Sequence, residues 1–527
     1  MSSIVHQKNG KYVYLYESNS YRDDKGKPQN NRKPVGKIDQ HTGQPVYKPE
    51  YLERMAKKGT PIHIPDPAKS FTVEQIRHSS IKNIGLFYLL ESLAKQIGLL
   101  NILESVFPNI WEEIFMLACY LVASGEPAMY CEDWIVDTDG FQVGSMSSQR
   151  ISEMLVDISM NDRTEFYEKW GLYRSELEYL ALDITSISSY SELIEDVEWG
   201  YNRDNENLPQ INLCMLLGEK SGLPVYQTIY SGSLKDVSTL KSTLGQVSAI
   251  RQDKILIVMD KGFGSNQNIN MMLTEPLGIR FIVAAPFSLA VAKKIVDSVS
   301  QDIDRISNTI VLGTDVFRGK TVRFNWQFEN NTYSLFAHAY FNVLKAAKLK
   351  EDLYAHVTLL VQQAKLNPNH PTYLNEYRKY LKFGQSGSID ICQEVIEKEL
   401  NHAGWLVLIS NDVPVAESAI NIYRTKDVVE KGFMRLKNCL DLGRLRVHSE
   451  NSMQNKVFIG FIALILMAGI HRQMADSGLY KLMTMKKLIK IVEKLKVQTI
   501  NGCRILYPLT KEQKMVYNAF NINEPVL

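Results

Sequence analysis

The chain has 527 residues, 45% of them hydrophobic and 22% charged, which is ordinary globular usage and excludes a disordered or fibrous protein. At roughly 100–200 residues per domain, that length predicts about three or four domains. Lys+Arg 60 against Asp+Glu 58 leaves +2, too balanced to advertise a polyanionic partner for the chain as a whole. The charge is nevertheless uneven. Residues 1–60 hold 12 Lys/Arg against 6 Asp/Glu, and residues 471–511 hold 9 against 2. Two basic ends around a mildly acidic middle fit separate phosphate-binding surfaces, although solvated faces account for them as well.

In chain order, residues 10–48 read as short strands, YVYLYES first, broken by the turn-rich RDDKGKPQNNRKP. From Thr72 to about Trp170 the hydrophobic period becomes helical. At Tyr179 it changes again: YLALDITSI alternates as a strand, and INLCMLL and LPVYQTIY follow around GEKSG as a hairpin. A helix over VSTLKSTLGQVSAI comes next, then the strand ILIVMD, the turn KGFG, a helix to about Glu275 and the strand IRFIVAA. ILIVM is apolar without alternation, as a strand covered on both faces should be. Three antiparallel strands followed by two parallel additions through helices is the order of a ribonuclease-H-like α/β fold. Residues 290–403 interrupt it with further strands and helices. GWLVLISND then supplies one more strand, and a single long helix is predicted over roughly Glu417–Leu442. The apolar run Val457–Ile470 falls short of the roughly 20 residues needed to span a bilayer and reads as a buried core helix. The last 50 residues read as helical and basic. The six cysteines, with no CxxC, predict neither a zinc ribbon nor a disulfide framework, and the N-terminus lacks a signal-peptide run; both suit a soluble cytosolic protein.

Candidate chemistry gathers on a few acids. Asp183 lies within an apolar strand, and Asp260 ends another just before a glycine turn, where ligands of α/β sheets collect. Either alone would more often cap a turn. On the first and fourth strands of the inferred sheet they become neighbours, and two adjacent carboxylates repel unless a divalent cation relieves them. The third acid is expected from the long helix. At 100° per residue, Tyr423, Lys426, Glu430 and Lys437 fall within an arc of about 60°, beside an apolar stripe that includes Val429, Phe433 and Leu436. The plain alternative is a solvated rim with a Lys426–Glu430 pair worth about 0.3–0.5 kcal/mol. Asp427 is the rival third acid. Asp441 lies about 16 Å further along the axis, too far to share a metal with Glu430. His448 and Trp326 are weaker candidates, better explained as a loop histidine and a packed tryptophan.

Asp183 in LALDITSIS, Asp260 in VMDKGFG and the row Tyr423–x2–Lys426–x3–Glu430–x6–Lys437 resemble the DDE transposases of bacterial insertion sequences, in particular the group with a Tyr-Arg-Glu-Lys signature. The likeness extends over most of the chain, including WGYNRDNENLPQINL (199–213), in which Trp199, Tyr201, Asn202 and Arg203 have no role that residue chemistry assigns. Two departures stand out: Lys426 replaces the signature arginine, and SGSLKD (231–236) replaces a more usual Gly-Asn. The resemblance implies a multidomain α/β protein with a ribonuclease-H-like catalytic core. Its parts are a basic β-rich arm (1–70), a helical DNA-binding domain (71–175), the core in two parts (176–289 and 404–470), a mixed insertion domain (290–403) and a basic helical C-terminal region (471–527). It implies cut-and-paste transposition in the nucleoid of a bacterial cytoplasm, by a homodimer in a synaptic complex on terminal inverted repeats and target DNA, without a membrane. Asp183, Asp260 and Glu430 would hold two Mg²⁺ ions, with Mn²⁺ able to substitute, while Tyr423, Lys426 and Lys437 touch the DNA backbone. The alternatives are a metal-dependent nuclease that does not join strands and a domesticated DNA-binding protein.

Overall fold

The computed structural model describes residues 2–9, 12–22, 28–38, 45–57, 71–173, 178–234, 236–250, 255–274, 278–384 and 388–527. The chain divides into two compact bodies, Met1–Ile81 with Gln498–Ile505, and Lys82–Val497 with Leu506–Leu527. In the first, Ser2–Asn9 (β1), Tyr12–Arg22 (β2), Pro28–Ile38 (β3) and Pro45–Tyr47 (β4) form an antiparallel sheet. The helix Pro49–Lys57 follows, and Leu15, Val35 and Tyr51 form a small core. A core that small can carry one buried acid only if it is paired, and Glu17 is paired with Arg54. Ser80–Asn83 (β5) is a further short strand.

The second body is built on one long sheet. Leu180–Ser189 (β6), Gln210–Gly218 (β7) and Pro224–Ser231 (β8) form an antiparallel meander. The helix Asp236–Ile250 leads to Leu256–Met259 (β9), and Asn266–Thr274 leads to Arg280–Ala284 (β10). β9 pairs parallel with both β6 and β10. Thr309–Leu312 (β11), Asp315–Phe328 (β12) and Asn331–Phe341 (β13) follow in sequence. After Leu381–Phe383 (β14) and Ile389–Ile391 (β15), which pair with each other, Trp405–Ser410 (β16) returns to the sheet antiparallel to β10 and β13. The strand order is therefore β11-β12-β13-β16-β10-β9-β6-β7-β8, with Arg444–Leu445 (β17) beside the far end of β6.

The segment 290–403 serves two purposes. Its strands β11–β13 widen the central sheet, whereas the helices Val343–Leu366, Leu374–Tyr380 and Gln393–Leu400 enclose a separate small core around Val357, Leu360, Tyr377 and Ile396.

Helices cover the sheet. β6 and β7 are buried at every position except Asp183, so the alternation read in YLALDITSI does not mark an exposed face: the polar Thr185, Ser186 and Ser188 are buried too. The helix Glu450–Asp476 runs through the second body's core, and its most apolar 18-residue window is 89% buried against the protein itself. By length and composition alone it could cross a membrane. Its amide side chain at Asn455 is fully buried and donates to the carbonyls of Leu155 and Ile158, tying it to the helical layer at 148–173.

Two sequence expectations change. The last 50 residues are not wholly helical: Lys496–Ile500 (β18) and Cys503–Leu506 (β19) are strands around Asn501–Gly502, both at positive φ, an Asn-Gly hairpin turn. The single helix Glu417–Leu442 is two, Ala416–Thr425 and Asp427–Cys439, because the chain tightens at Lys426 into successive three-residue hydrogen bonds, Lys426 N to Tyr423 O at 3.3 Å and Val429 N to Lys426 O at 3.0 Å.

Gly432 lets the second of these helices lie close on β7, since a Cβ there would stand 2.9 Å from Leu217 Cδ2. Gly432→Val should therefore destabilise the protein by about 1–3 kcal/mol through overpacking. Denaturant midpoints check this, and an unchanged midpoint would show that the helix does not depend on this approach.

Candidate active site

Strand register brings the first two acids together. Leu182 of β6 pairs with Met259 of β9, so the next residues on these parallel strands, Asp183 and Asp260, stand side by side. Asp183 Oδ1 accepts the N–H of Ile184 at 2.8 Å. Asp260 closes the turn Lys261–Phe263, its Oδ1 accepting Lys261 N at 2.7 Å and the Tyr423 hydroxyl at 2.8 Å.

The break between the two helices places the rest. Tyr423 ends the first helix facing Asp260, and Lys426, at the break, turns inward until it is only 7% exposed. Its ammonium lies 2.9 Å from Glu430 Oε1, 3.7 Å from Asp260 Oδ2 and 5.6 Å from the centre of the Tyr423 ring. The Lys426–Glu430 pair is thus not the solvated rim that a continuous helix would present. Glu430 itself is exposed and meets the strand acids through Lys426, while Asp427 is exposed one turn earlier. Lys437 bonds Asp204 Oδ2 at 2.5 Å. Asp441 leaves the helix at φ 54° and pairs with Arg446. Trp326 is buried and donates to Asn270, and His448 is exposed.

A cleft of about 1130 Å³ opens over the carboxyl ends of the parallel strands. Asp183, Asp260 and Tyr423 line it, together with Tyr201, Arg203, Lys261, Phe287, Lys345 and Trp405. Arg203 was visible in the sequence without a role. Lys345 was not singled out, because it belongs to a helix whose position depends on the unanticipated joining of β13 to the sheet.

Electrostatics separate the two aspartates. Burial pushes the Asp183 carboxyl up to about 6; Lys426 offsets part of this and the neighbouring Asp260 adds to it. For Asp260, burial acts upward too, but Lys426, the Tyr423 hydroxyl and the Lys261 N–H outweigh it and hold the carboxyl below its usual range. Burial and the Asp260 charge drive the Tyr423 hydroxyl far up, so it stays a donor. Burial lowers Lys426, but Glu430 and Asp260 more than compensate and keep it charged. A buried acid with a raised pKa beside a second carboxylate is a donor pair that a hard divalent cation would suit. Among the described residues, no three acids, histidines or cysteines stand together as a ready metal cage. The two strand acids fit a cation directly, and the third acid of the expected set is held off by the Lys426 ammonium.

The family model for a transposase DDE domain matches residues 174–466, more than half of the chain. This chain belongs to the DDE transposase family. Its enzymes transfer phosphoryl groups on DNA and generally use divalent metals. Among solved structures, a cryo-EM structure of a piggyBac transposase synaptic complex with hairpin DNA is similar at 12% identity and a TM-score of 0.35, over 77% of this chain and 70% of that one. Among curated proteins, none matches.

The raised Asp183 has a consequence for stability in this transposase. A carboxyl whose folded pKa exceeds its unfolded value costs nothing below about pH 4; its penalty grows as pH rises through about 6 and persists above. Asp183→Asn removes it. Without metal, the variant should gain on the wild type between pH 4 and pH 7 by about 1–2 kcal/mol, after allowance for solvent screening. Urea midpoints at both pH values measure this, and parallel pH profiles would contradict it.

Proposed function

We propose that this chain is the cut-and-paste transposase of a bacterial insertion sequence, of the Tyr-Arg-Glu-Lys group with lysine in the arginine position. The observation that carries the reading is the in-register pair Asp183–Asp260 at the floor of an open cleft, with Tyr423 and Lys426 bonded or ion-paired to it. We read the strand order β8-β7-β6-β9-β10, antiparallel then parallel, as a ribonuclease-H-like core. The basic segments 1–60 and 471–511 suit the phosphate backbone of terminal inverted repeats, where Lys and Arg supply most of the affinity. In this reading a homodimer holds two ends in a synaptic complex inside the bacterial cytoplasm.

Two divalent ions, Mg²⁺ or Mn²⁺, held by Asp183, Asp260 and Glu430 would supply activation of the attacking water or 3′-hydroxyl and neutralisation of the leaving oxygen. The chain's own groups prepare that site. The Tyr423 hydroxyl and the Lys261 N–H fix Asp260 Oδ1, so this carboxylate cannot swing away from Asp183. Lys426 keeps the carboxylates charged and close before a cation arrives, and as Glu430 turns inward its ammonium becomes available to a phosphate oxygen. Tyr423 reaches the cleft directly, whereas Lys437 serves the DNA end from behind, through Asp204.

Asp183→Asn, Asp260→Asn and Glu430→Gln should each abolish cleavage of an end and leave end binding nearly intact. Single-turnover cleavage and gel-shift titration of the same variants test this. Full cleavage by Glu430→Gln, with loss in Asp427→Asn, would transfer the third role to Asp427. Joining of the cut 3′ end to a target duplex distinguishes a transposase from a nuclease on the same core, which would cut and stop.

A further inference from the structure

The stretch 199–207, between β6 and β7, is tied to two of the three elements that carry the acids, the strand of Asp183 and the helix of Glu430. Asn202 is buried and donates to Ser188 Oγ of β6 at 3.0 Å, while its own carbonyl oxygen accepts the N–H groups of Asp204 at 2.9 Å and Glu206 at 3.3 Å. Asp204 binds Lys437 on the Glu430 helix. Glu206 is gripped by Arg444, whose strand β17 pairs with β6 at Ser188. Upstream, Gly200 passes so close to Gly232 that a Cβ would stand 1.9 Å from its carbonyl oxygen, fixing where the stretch enters. Buried serines on an otherwise apolar strand have a reason here: Ser186 Oγ donates to Tyr201 O and accepts the Arg203 N–H at 3.2 Å.

Residues 202, 204 and 206 are thus anchored by their side chains, while Tyr201 and Arg203 line the cleft. Arg203 is the single guanidinium among the described residues that line it. Like Lys426, and less strongly, it favours the charged form of Asp183. Lys426, in the position where the family signature has arginine, offers a point charge already committed to two carboxylates. A guanidinium can grip two oxygens of one phosphate in a plane, and an ammonium cannot.

We propose that Arg203 grips the non-bridging oxygens of the phosphate being cut, supplying from the 199–207 strap the bidentate contact that Lys426 does not provide. This rests on the reading of the cleft as a phosphoryl-transfer site. The strap's ties to Ser186, Ser188 and Lys437 make that grip geometrically dependent on the strand of Asp183 and the helix of Glu430.

The test uses the full chain and a duplex taken from the DNA immediately flanking its gene, with a single phosphorothioate of defined configuration at the cleaved position. Arg203→Ala should slow single-turnover cleavage of pre-bound duplex in Mg²⁺ by tenfold or more. Arg203→Lys should restore only part of the rate. For one sulfur configuration the wild type should lose rate on substitution, and Arg203→Ala should lose little further, because the contact is already gone. Arg203→Gln, closer in size, and thermal unfolding of each variant guard against a folding defect, which would not alter sulfur sensitivity selectively. Cleavage by Arg203→Ala at the wild-type rate, with wild-type sulfur sensitivity, overturns the inference and leaves the phosphoryl-transfer reading standing. Failure of the wild type to cleave in Mg²⁺ or Mn²⁺ overturns that reading and this inference with it.

Discussion

Two carboxylates on adjacent parallel strands, one register step past Leu182–Met259, impose the constraint around which the site is organised. Side by side in a partly desolvated cleft they repel, and the structure shows several compensations at once. Asp260 is stabilised by a main-chain N–H, a tyrosine hydroxyl and an ammonium, while Asp183 retains most of the penalty and its raised pKa. The division fixes Asp260 in place and leaves Asp183 as the costlier of the two charges, the one that an opposite charge in the cleft would relieve most.

The helix break at Lys426 follows from the same constraint. A continuous helix would have carried Lys426 along its border; the tightened turn instead buries the ammonium between Glu430 and Asp260. Burying a charge is tolerable only where opposite charges meet it, and here they do. Behind the acids, Gly432 allows the Glu430 helix to lie close on β7, and the 199–207 strap links that helix to β6 through Lys437 and Asn202. Further lining of the cleft comes from elsewhere in the chain: Phe287 follows β10, Lys345 follows β13 and Trp405 begins β16.

Much of this was legible in the sequence, for physical reasons. The alternating pattern at 179–187 and the continuous apolar run at 255–259 announced strands, and an aspartate in or just after each could be placed because strand adjacency follows from connectivity. The apolar stripe Val429–Phe433–Leu436 is buried as its period required. What escaped depended on tertiary geometry or on a signal passed over. No residue type at 425–427 breaks a helix, so the turn at Lys426 could not be read locally. The joining of β13 to β16 is a long-range pairing between segments with no sequence link. The β18–β19 turn, by contrast, was written plainly as Asn501–Gly502 after the β-branched Thr499 and Ile500, and the basic helical pattern upstream obscured it. Arg203 was visible as a residue, but its place in the cleft depends on the ties of its segment to Ser186, Ser188, Lys437 and Arg444, which only the fold assembles.

The central claim is that Asp183 and Asp260 form the cation-binding floor and that Lys426 holds their charge until a cation comes. Anomalous scattering from crystals of the protein soaked in Mn²⁺ tests it most directly. The account predicts a manganese peak between the Asp183 and Asp260 carboxylates, with the Lys426 ammonium drawn away from Asp260 Oδ2. A soaked crystal with Lys426 still at Asp260 and no manganese at these two acids would contradict it.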